Sequence, residues 1–132
     1  MRHLKKAKID KGRDHARKLV RSLAASAIVY EKIQTTEARA KIARILVEKM
    51  ITKGKSALGG SLPAGQAGAS GGKDISLHNK RQIFSALPNN AARKVIEVLG
   101  PRYKTRIGGY TRIIRLGKSK DGMPKVQLEL VE

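Results

Sequence analysis

The sequence predicts an α/β chain of the α+β kind in two layers, ordered helix, strand, three helices, two strands, with a small mixed sheet and helices packed on one face. Three observations predict it. Apolar residues recur at three- and four-residue steps in the first hundred positions, Val126, Leu128 and Leu130 alternate with Lys125, Gln127 and Glu129, and Asp121-Gly122 marks a tight turn just before that alternation. The 132 residues suit one domain around one core and contain no internal repeat. The expected layout is a basic arm over 1–13, a helix-strand-helix segment over 14–53, a flexible Gly-rich insertion over 54–74, and two helices with a C-terminal hairpin over 75–132.

Residues 1–13 have no sustained apolar period and read as an arm that orders on a polyanion, or else as a solvated tail. From Asp14, an N-cap candidate, Ala16, Leu19, Val20, Leu23 and Ala27 trace an amphipathic helix. Arg13, Arg17 and Arg21 fall at four-residue steps on its other side, a row that suits a phosphate backbone and equally suits a solvated helix face. The β-branched residues around Glu31–Thr35 predict a short strand. Thr36 is placed to cap a second helix that starts at Glu37 and carries an apolar face of Ala38, Ile42, Ile45, Leu46 and Met50. Gly54 is expected to end it as a left-handed C-cap.

Residues 54–74 hold seven Gly and one Pro with few bulky side chains, too little apolar surface to offset the entropy of ordering. Leu77, Ile83, Phe84 and Leu87 suggest a third helix closed by Pro88. Asn89 or Asn90 caps a fourth with Ala92, Val95, Ile96 and Leu99, which Gly100-Pro101 should stop. Tyr110–Leu116 and the alternating segment at 126–130 then pair as an antiparallel hairpin with Lys118 and Lys120 at its tip.

Charge narrows the function. There are 29 Lys and Arg against 10 Asp and Glu, a formal net charge of +19. Such an excess repels itself in a compact chain and favours a polyanion, since each phosphate neutralised by a cation releases condensed counterions. Residues 1–21 carry +7 and residues 102–120 another +7. Only Tyr30, Phe84, Tyr103 and Tyr110 are aromatic, so no platform exists for stacking successive bases, and phosphate and shape contacts are expected to dominate.

Other chemistry finds no support. With no Cys there is neither a disulfide framework nor a thiolate metal site, which fits a reducing cytoplasm. The longest apolar run, Leu23–Tyr30, is too short to span a bilayer, and the start lacks a secretory apolar core, so no membrane association and no processing are expected. Gly54-Lys55-Ser56 resembles the end of a phosphate-binding loop, but position 49 is Lys where that motif requires Gly. His3, His15 and His78 are scattered, and the carboxylates form no convergent set. No catalytic residue, metal ligand, cofactor or small-molecule substrate is expected.

Gly100-Pro101-Arg102-Tyr103, Arg106 and Gly108-Gly109-Tyr110-Thr111-Arg112-Ile113 together resemble the signature of the bacterial large-subunit ribosomal protein L17 family. Met1-Arg2-His3, Lys5-Lys6, His15, Leu19, Arg21, Leu23-Ala24, Glu31, Ile33, Thr35-Thr36 and Ala40-Lys41 fall at the spacing of the same family. The resemblance covers nearly the whole chain except 54–74. It implies a two-layer α/β protein bound to 23S ribosomal RNA on the solvent side of the large subunit near the polypeptide exit tunnel, with other large-subunit ribosomal proteins adjacent, located in the cytoplasm within the ribosome and without enzymatic activity. Two departures stand out. Ala16 occupies a position where the family often has Arg, which touches one RNA contact, and the Gly-rich stretch enlarges a peripheral loop.

The residues expected at RNA are Arg2, His3, Lys5, Lys6, Lys8, Arg13, His15, Arg17, Lys18 and Arg21 at the start, and Arg102, Lys104, Arg106, Gly108, Gly109, Tyr110, Arg112, Lys118 and Lys120 toward the end. Gly108-Gly109 would allow a close backbone approach, with an ordinary turn as the plainer reading. Tyr110 suits stacking on RNA and equally suits the core. A DNA-compacting protein fits the charge but lacks a recognition helix with a dimer seam, and a membrane-surface peptide lacks the apolar face it would need.

Overall fold

A computed structural model of the chain describes residues 12–58 and 72–131, with the side chains of 72–75 left aside. The arm residues Arg2, His3, Lys5, Lys6 and Lys8 and most of the Gly-rich stretch, 59–71, lie outside the described residues. The elements are α1 (Arg13–Tyr30), β1 (Lys32–Thr36), α2 (Glu37–Ala57), α3 (Gly72–Ala86), α4 (Asn89–Lys94), a π-helical turn (Val95–Leu99), α5 (Gly100–Arg102), β2 (Thr111–Lys118) and β3 (Pro124–Leu130). This is the α+β order expected. The chain forms two compact units, Met1–Val47 with Thr111–Glu132, and Glu48–Tyr110, so that α2 contributes its two halves to different units.

The first unit is built on the sheet, ordered β1-β3-β2. Both pairings are antiparallel, which corrects the expectation of a mixed sheet. The hairpin turn over 119–123 is too short for the crossover that a parallel pair needs, which makes β2 and β3 antiparallel, and β3, with Val126, Leu128 and Leu130 all buried, takes the centre. Across the ladder Ile33, Leu128 and Ile113 stand in one row. On the reverse face Lys32, Glu129 and Arg112 form another, with Arg112 3.9 Å from Glu129. Helix α1 packs on β1 and β3 through its inward side, where Ala24, Ala27 and Ile28 are buried.

Local choices follow from backbone chemistry. The N-cap of α1 is Gly12, whose carbonyl accepts from the Ala16 N–H at 3.0 Å. Asp14, expected at the cap, instead sits in the first turn, where its charge complements the helix dipole. Glu31 closes α1 in the left-handed region, φ 62°, and its carbonyl accepts from the Leu130 N–H at 2.9 Å. That turn re-aims the chain into β1, which therefore begins at Lys32. No loop separates β1 from α2, since Thr36 ends the strand and Glu37 starts the helix. The hairpin turn is closed by Ser119 N–H to the Met123 carbonyl, 2.8 Å, and Gly122 N–H to the Ser119 carbonyl, 2.9 Å, with Gly122 at φ 73°. Leu116 is the extra residue of a bulge between Arg115 and Gly117.

The second unit is helical, and its core includes Met50, Ile51, Ile83, Leu87, Val95, Leu99 and the rings of Tyr103 and Tyr110. Two sequence expectations are corrected here. Helix α2 does not stop at Gly54 but continues to Ala57, and Gly54 is buried within it. A Cβ on Gly54 would lie 2.7 Å from Val95 Cγ1 and 3.0 Å from the Val95 carbonyl oxygen, so the glycine serves a close backbone approach rather than a cap. Nor does Gly100-Pro101 end the fourth helix, which runs on to Arg102. The Gly100 N–H donates to the Val95 carbonyl five residues back, and this wider turn makes room for a proline ring that would crowd the carbonyl four residues before it in a regular helix. Leu77 and Phe84, half of the apolar signal for α3, remain 48% and 42% exposed, while Ile83 and Leu87 are buried.

Candidate nucleic-acid interface

Helix α1 divides its side chains along its length: Arg13, His15, Arg17, Lys18 and Arg21 in its first half are all exposed, while the buried residues Ala24, Ala27 and Ile28 lie in its second half. The Arg13–Arg21 row spans about 12 Å at 1.5 Å per residue, two helical turns of cations. Asp14 is the one acid in the exposed first turn, 4.0 Å from Arg17, and both side chains remain mostly in water, where such a pair is worth little. The row therefore keeps most of its positive field.

The hairpin of the same unit adds Arg112, Lys118 and Lys120, all exposed. Arg112 is held by Glu129, whereas Lys118 closes the ladder opposite Pro124 and Lys120 lies in the turn. Arg115, which sequence reasoning passed over, lies 3.8 Å from Glu37, and Glu37 is also 2.7 Å from Lys41. The Lys41 ammonium, by hydrogen bond and charge, and then Arg115 hold the Glu37 carboxyl below its ordinary range.

In the second unit the expected residues fall on the segment after α5. Arg102, Lys104, Arg106, Gly108 and Gly109 are exposed, while Tyr110 is only 1% exposed. Tyr110 is thereby withdrawn from the contact surface and corrected to a core residue. Its ring lies 5.0 Å from that of Tyr103. Its hydroxyl donates toward the Ile107 carbonyl at 3.1 Å and the Arg106 carbonyl at 3.3 Å, and it accepts from Lys55 Nζ at 3.1 Å. Lys55 also donates to the Arg106 carbonyl and sits 5.4 Å from the ring centroid. The Arg106 Nε–H donates to the Gly108 carbonyl at 3.3 Å. Sequence reasoning missed Lys55, which stands 51 positions from Arg106 and carries no local signal of that pairing.

Glycine again has a positional meaning. Gly109 has φ 67°, and neither Gly108 nor Gly109 would have any atom within 4 Å of an added Cβ, so the backbone there is open to an approaching partner. Among the described residues no group of three or more His, Asp or Glu is placed to hold a metal ion, and no helix is long and apolar enough to cross a membrane. The arrangement offers cations and bare backbone, the means of holding phosphates.

A family model described as ribosomal protein L17 matches residues 19–131. The chain is 38% identical over 126 residues to the large ribosomal subunit protein bL17 of Caldanaerobacter subterraneus subsp. tengcongensis, covering 94% of this chain and 96% of that one. It is 41% identical over 128 residues to bL17 of Listeria welshimeri, covering 86% and 89%. It is 36% identical over 135 residues to bL17 of Syntrophotalea carbinolica, covering 100% and 76%.

Proposed function

The chain belongs to the ribosomal protein L17 family, and from that membership together with its cationic surfaces we propose that it is a structural constituent of the large ribosomal subunit that binds and stabilises 23S ribosomal RNA. The role is architectural and supports translation without catalysis, in the cytoplasm as part of the ribosome. Neighbouring large-subunit proteins are its further partners, and the exit-tunnel side of the subunit is its place.

One observation carries the reading: a row of exposed cations on the first half of α1, a helix whose second half is buried against the sheet. A helix fixed in this way presents charge without first ordering itself, so the RNA meets a preformed surface. The residues proposed to meet RNA are, in the first unit, Arg13, His15, Arg17, Lys18 and Arg21 on α1 with Arg112, Lys118 and Lys120 on the hairpin, and, separately, in the second unit, Arg102, Lys104, Arg106, Gly108 and Gly109 after α5. The arm residues Arg2, His3, Lys5, Lys6 and Lys8 are part of the same proposal. Contacts of this kind read little base identity, and selectivity comes from the folded shape of the RNA.

The test is binding of the full chain to transcribed 23S RNA domains against a generic duplex of equal length over a range of salt. The expected result is a steep fall of affinity with salt and a clear preference for one rRNA domain at physiological ionic strength. Equal affinity for the duplex and every rRNA domain would defeat the proposal.

A further inference from the structure

The segment from Tyr103 to Tyr110 has no regular secondary structure beyond a turn, yet its backbone is tied down at successive points. The Tyr103 N–H donates to Leu99 at 3.0 Å, Lys104 to Pro101 at 3.2 Å and Arg106 to Tyr103 at 3.1 Å. Beyond these, the carbonyls of Arg106 and Ile107 both accept from groups anchored in the unit, the Lys55 ammonium and the buried Tyr110 hydroxyl. The Ile107 side chain between these two tied carbonyls is 97% exposed, more than any other large apolar residue described.

A fully exposed isoleucine on a tethered loop is costly in water, since its apolar surface gains by being covered. Its surroundings say what kind of partner would cover it. Lys104 and Arg106 are exposed on the same loop, and no acid occurs from position 98 to 120, so the partner is anionic. The two glycines that follow leave open space beside the isoleucine, which admits a broad flat group against side chain and backbone together.

Building on the RNA-binding reading above, we propose that Ile107 is an apolar tip that packs against the face of an unstacked nucleobase, with Lys55 as the positioning residue that holds the tip in place. Arg106 and Lys104 meet the adjoining phosphates. The contact adds one base-face interaction to a surface otherwise made of phosphate contacts, in the manner of the apolar wedges that nucleic-acid-binding proteins set against bases. Lys55 itself touches no RNA.

The experiment uses the full chain and the 23S RNA domain it prefers, with Ile107→Ser, Ile107→Leu, Arg106→Gln and Lys55→Met. Ile107→Ser is expected to weaken binding about tenfold with the salt slope unchanged, because no charge is altered, while Ile107→Leu retains affinity within about twofold. Arg106→Gln lowers the slope by about one. Lys55→Met weakens binding with the slope unchanged and speeds amide exchange at residues 106–110 of the free protein, an effect that a direct phosphate ligand would not show. If the unmodified chain binds and Ile107→Ser binds equally well, the base contact is wrong while the RNA reading stands. If the unmodified chain fails to bind, the RNA reading itself has failed. A defect of Ile107→Ser seen only in assembled subunits and not on naked RNA would assign the tip to a protein pocket and overturn the proposal, and unchanged amide exchange in Lys55→Met would remove Lys55 from its role.

Discussion

Gly54 on α2 and Val95 at the start of the π-helical turn approach so closely that a methyl group on the glycine would stand 2.7 Å from the valine Cγ1. Neither partner yields easily, because Val95 is fully buried and its carbonyl lies only 3.0 Å from the same point. Gly54→Ala should therefore destabilise the protein by a net of about 1–2 kcal/mol even though alanine is the better helix former by about 1 kcal/mol. Urea unfolding of the single variant, and of the same change in a Val95→Ala background, tests the cause: the double variant should cost less than the sum of the two singles. Gly100→Ala is expected to be milder, since its nearest obstacle is the Cδ1 tip of Leu58, a side chain 48% exposed and free to move aside.

The central strand predicts a contrast between the two faces of the sheet. Leu128 is fully buried in the row with Ile33 and Ile113, and Leu128→Ala should cost about 2–5 kcal/mol through lost burial and the cavity left behind. Ile114, opposite Gln127 on the other face, is 37% exposed, and Ile114→Ala should cost about 1 kcal/mol or less. The midpoint of denaturant unfolding at constant slope is the measurement, and comparable losses would contradict this assignment of faces.

Glu37 makes a prediction in pH. Its folded-state pKa is depressed, chiefly by Lys41 and then by Arg115, so its contribution to stability is present above the unfolded-state value and disappears as the pH falls through the folded one. Carbon-detected NMR titration should find this carboxyl below the usual glutamate range. Lys41→Met should raise it more than Arg115→Met does, because the Lys41 pair is the shorter, 2.7 Å against 3.8 Å.

The α1 row predicts an electrostatic signature. Arg17 and Arg21 are both exposed, so Arg17→Gln and Arg21→Gln should each leave stability within about 0.5 kcal/mol. Each should weaken binding to the preferred rRNA domain and lower the salt slope by about one if it meets a phosphate. Circular-dichroism melts beside salt-dependent affinities separate the two effects, and an unchanged slope for both variants would take the row out of the interface.

Helices, strands and their order were legible because each rests on a short-range period: three and four for α1, α2 and α3, two for β3, and Asp121-Gly122 for the turn. The exposure of Arg13, Arg17 and Arg21 on α1 was equally legible, since a charged side chain without a buried partner stays in water. Long-range relationships left no such mark. Gly54 reads locally as a helix end, and only its neighbour Val95, 41 positions away, turns it into a place of close approach. Tyr110 reads locally as suited to RNA and to the core alike, and only Tyr103, Lys55 and two carbonyls decide for the core.

What the amino-acid order determined by itself was the α+β class, the position of most elements and the sign and location of the charge, since propensity, periodicity and net charge act over a few residues or sum without regard to geometry. Tertiary structure alone decided that β3 lies between β1 and β2, that α2 runs through Gly54, and that Lys55 and Tyr110 tie the loop that leaves Ile107 in water. Pairing partners and close approaches depend on which distant segments meet, and burial energy settles that for the chain as a whole rather than for any window of it.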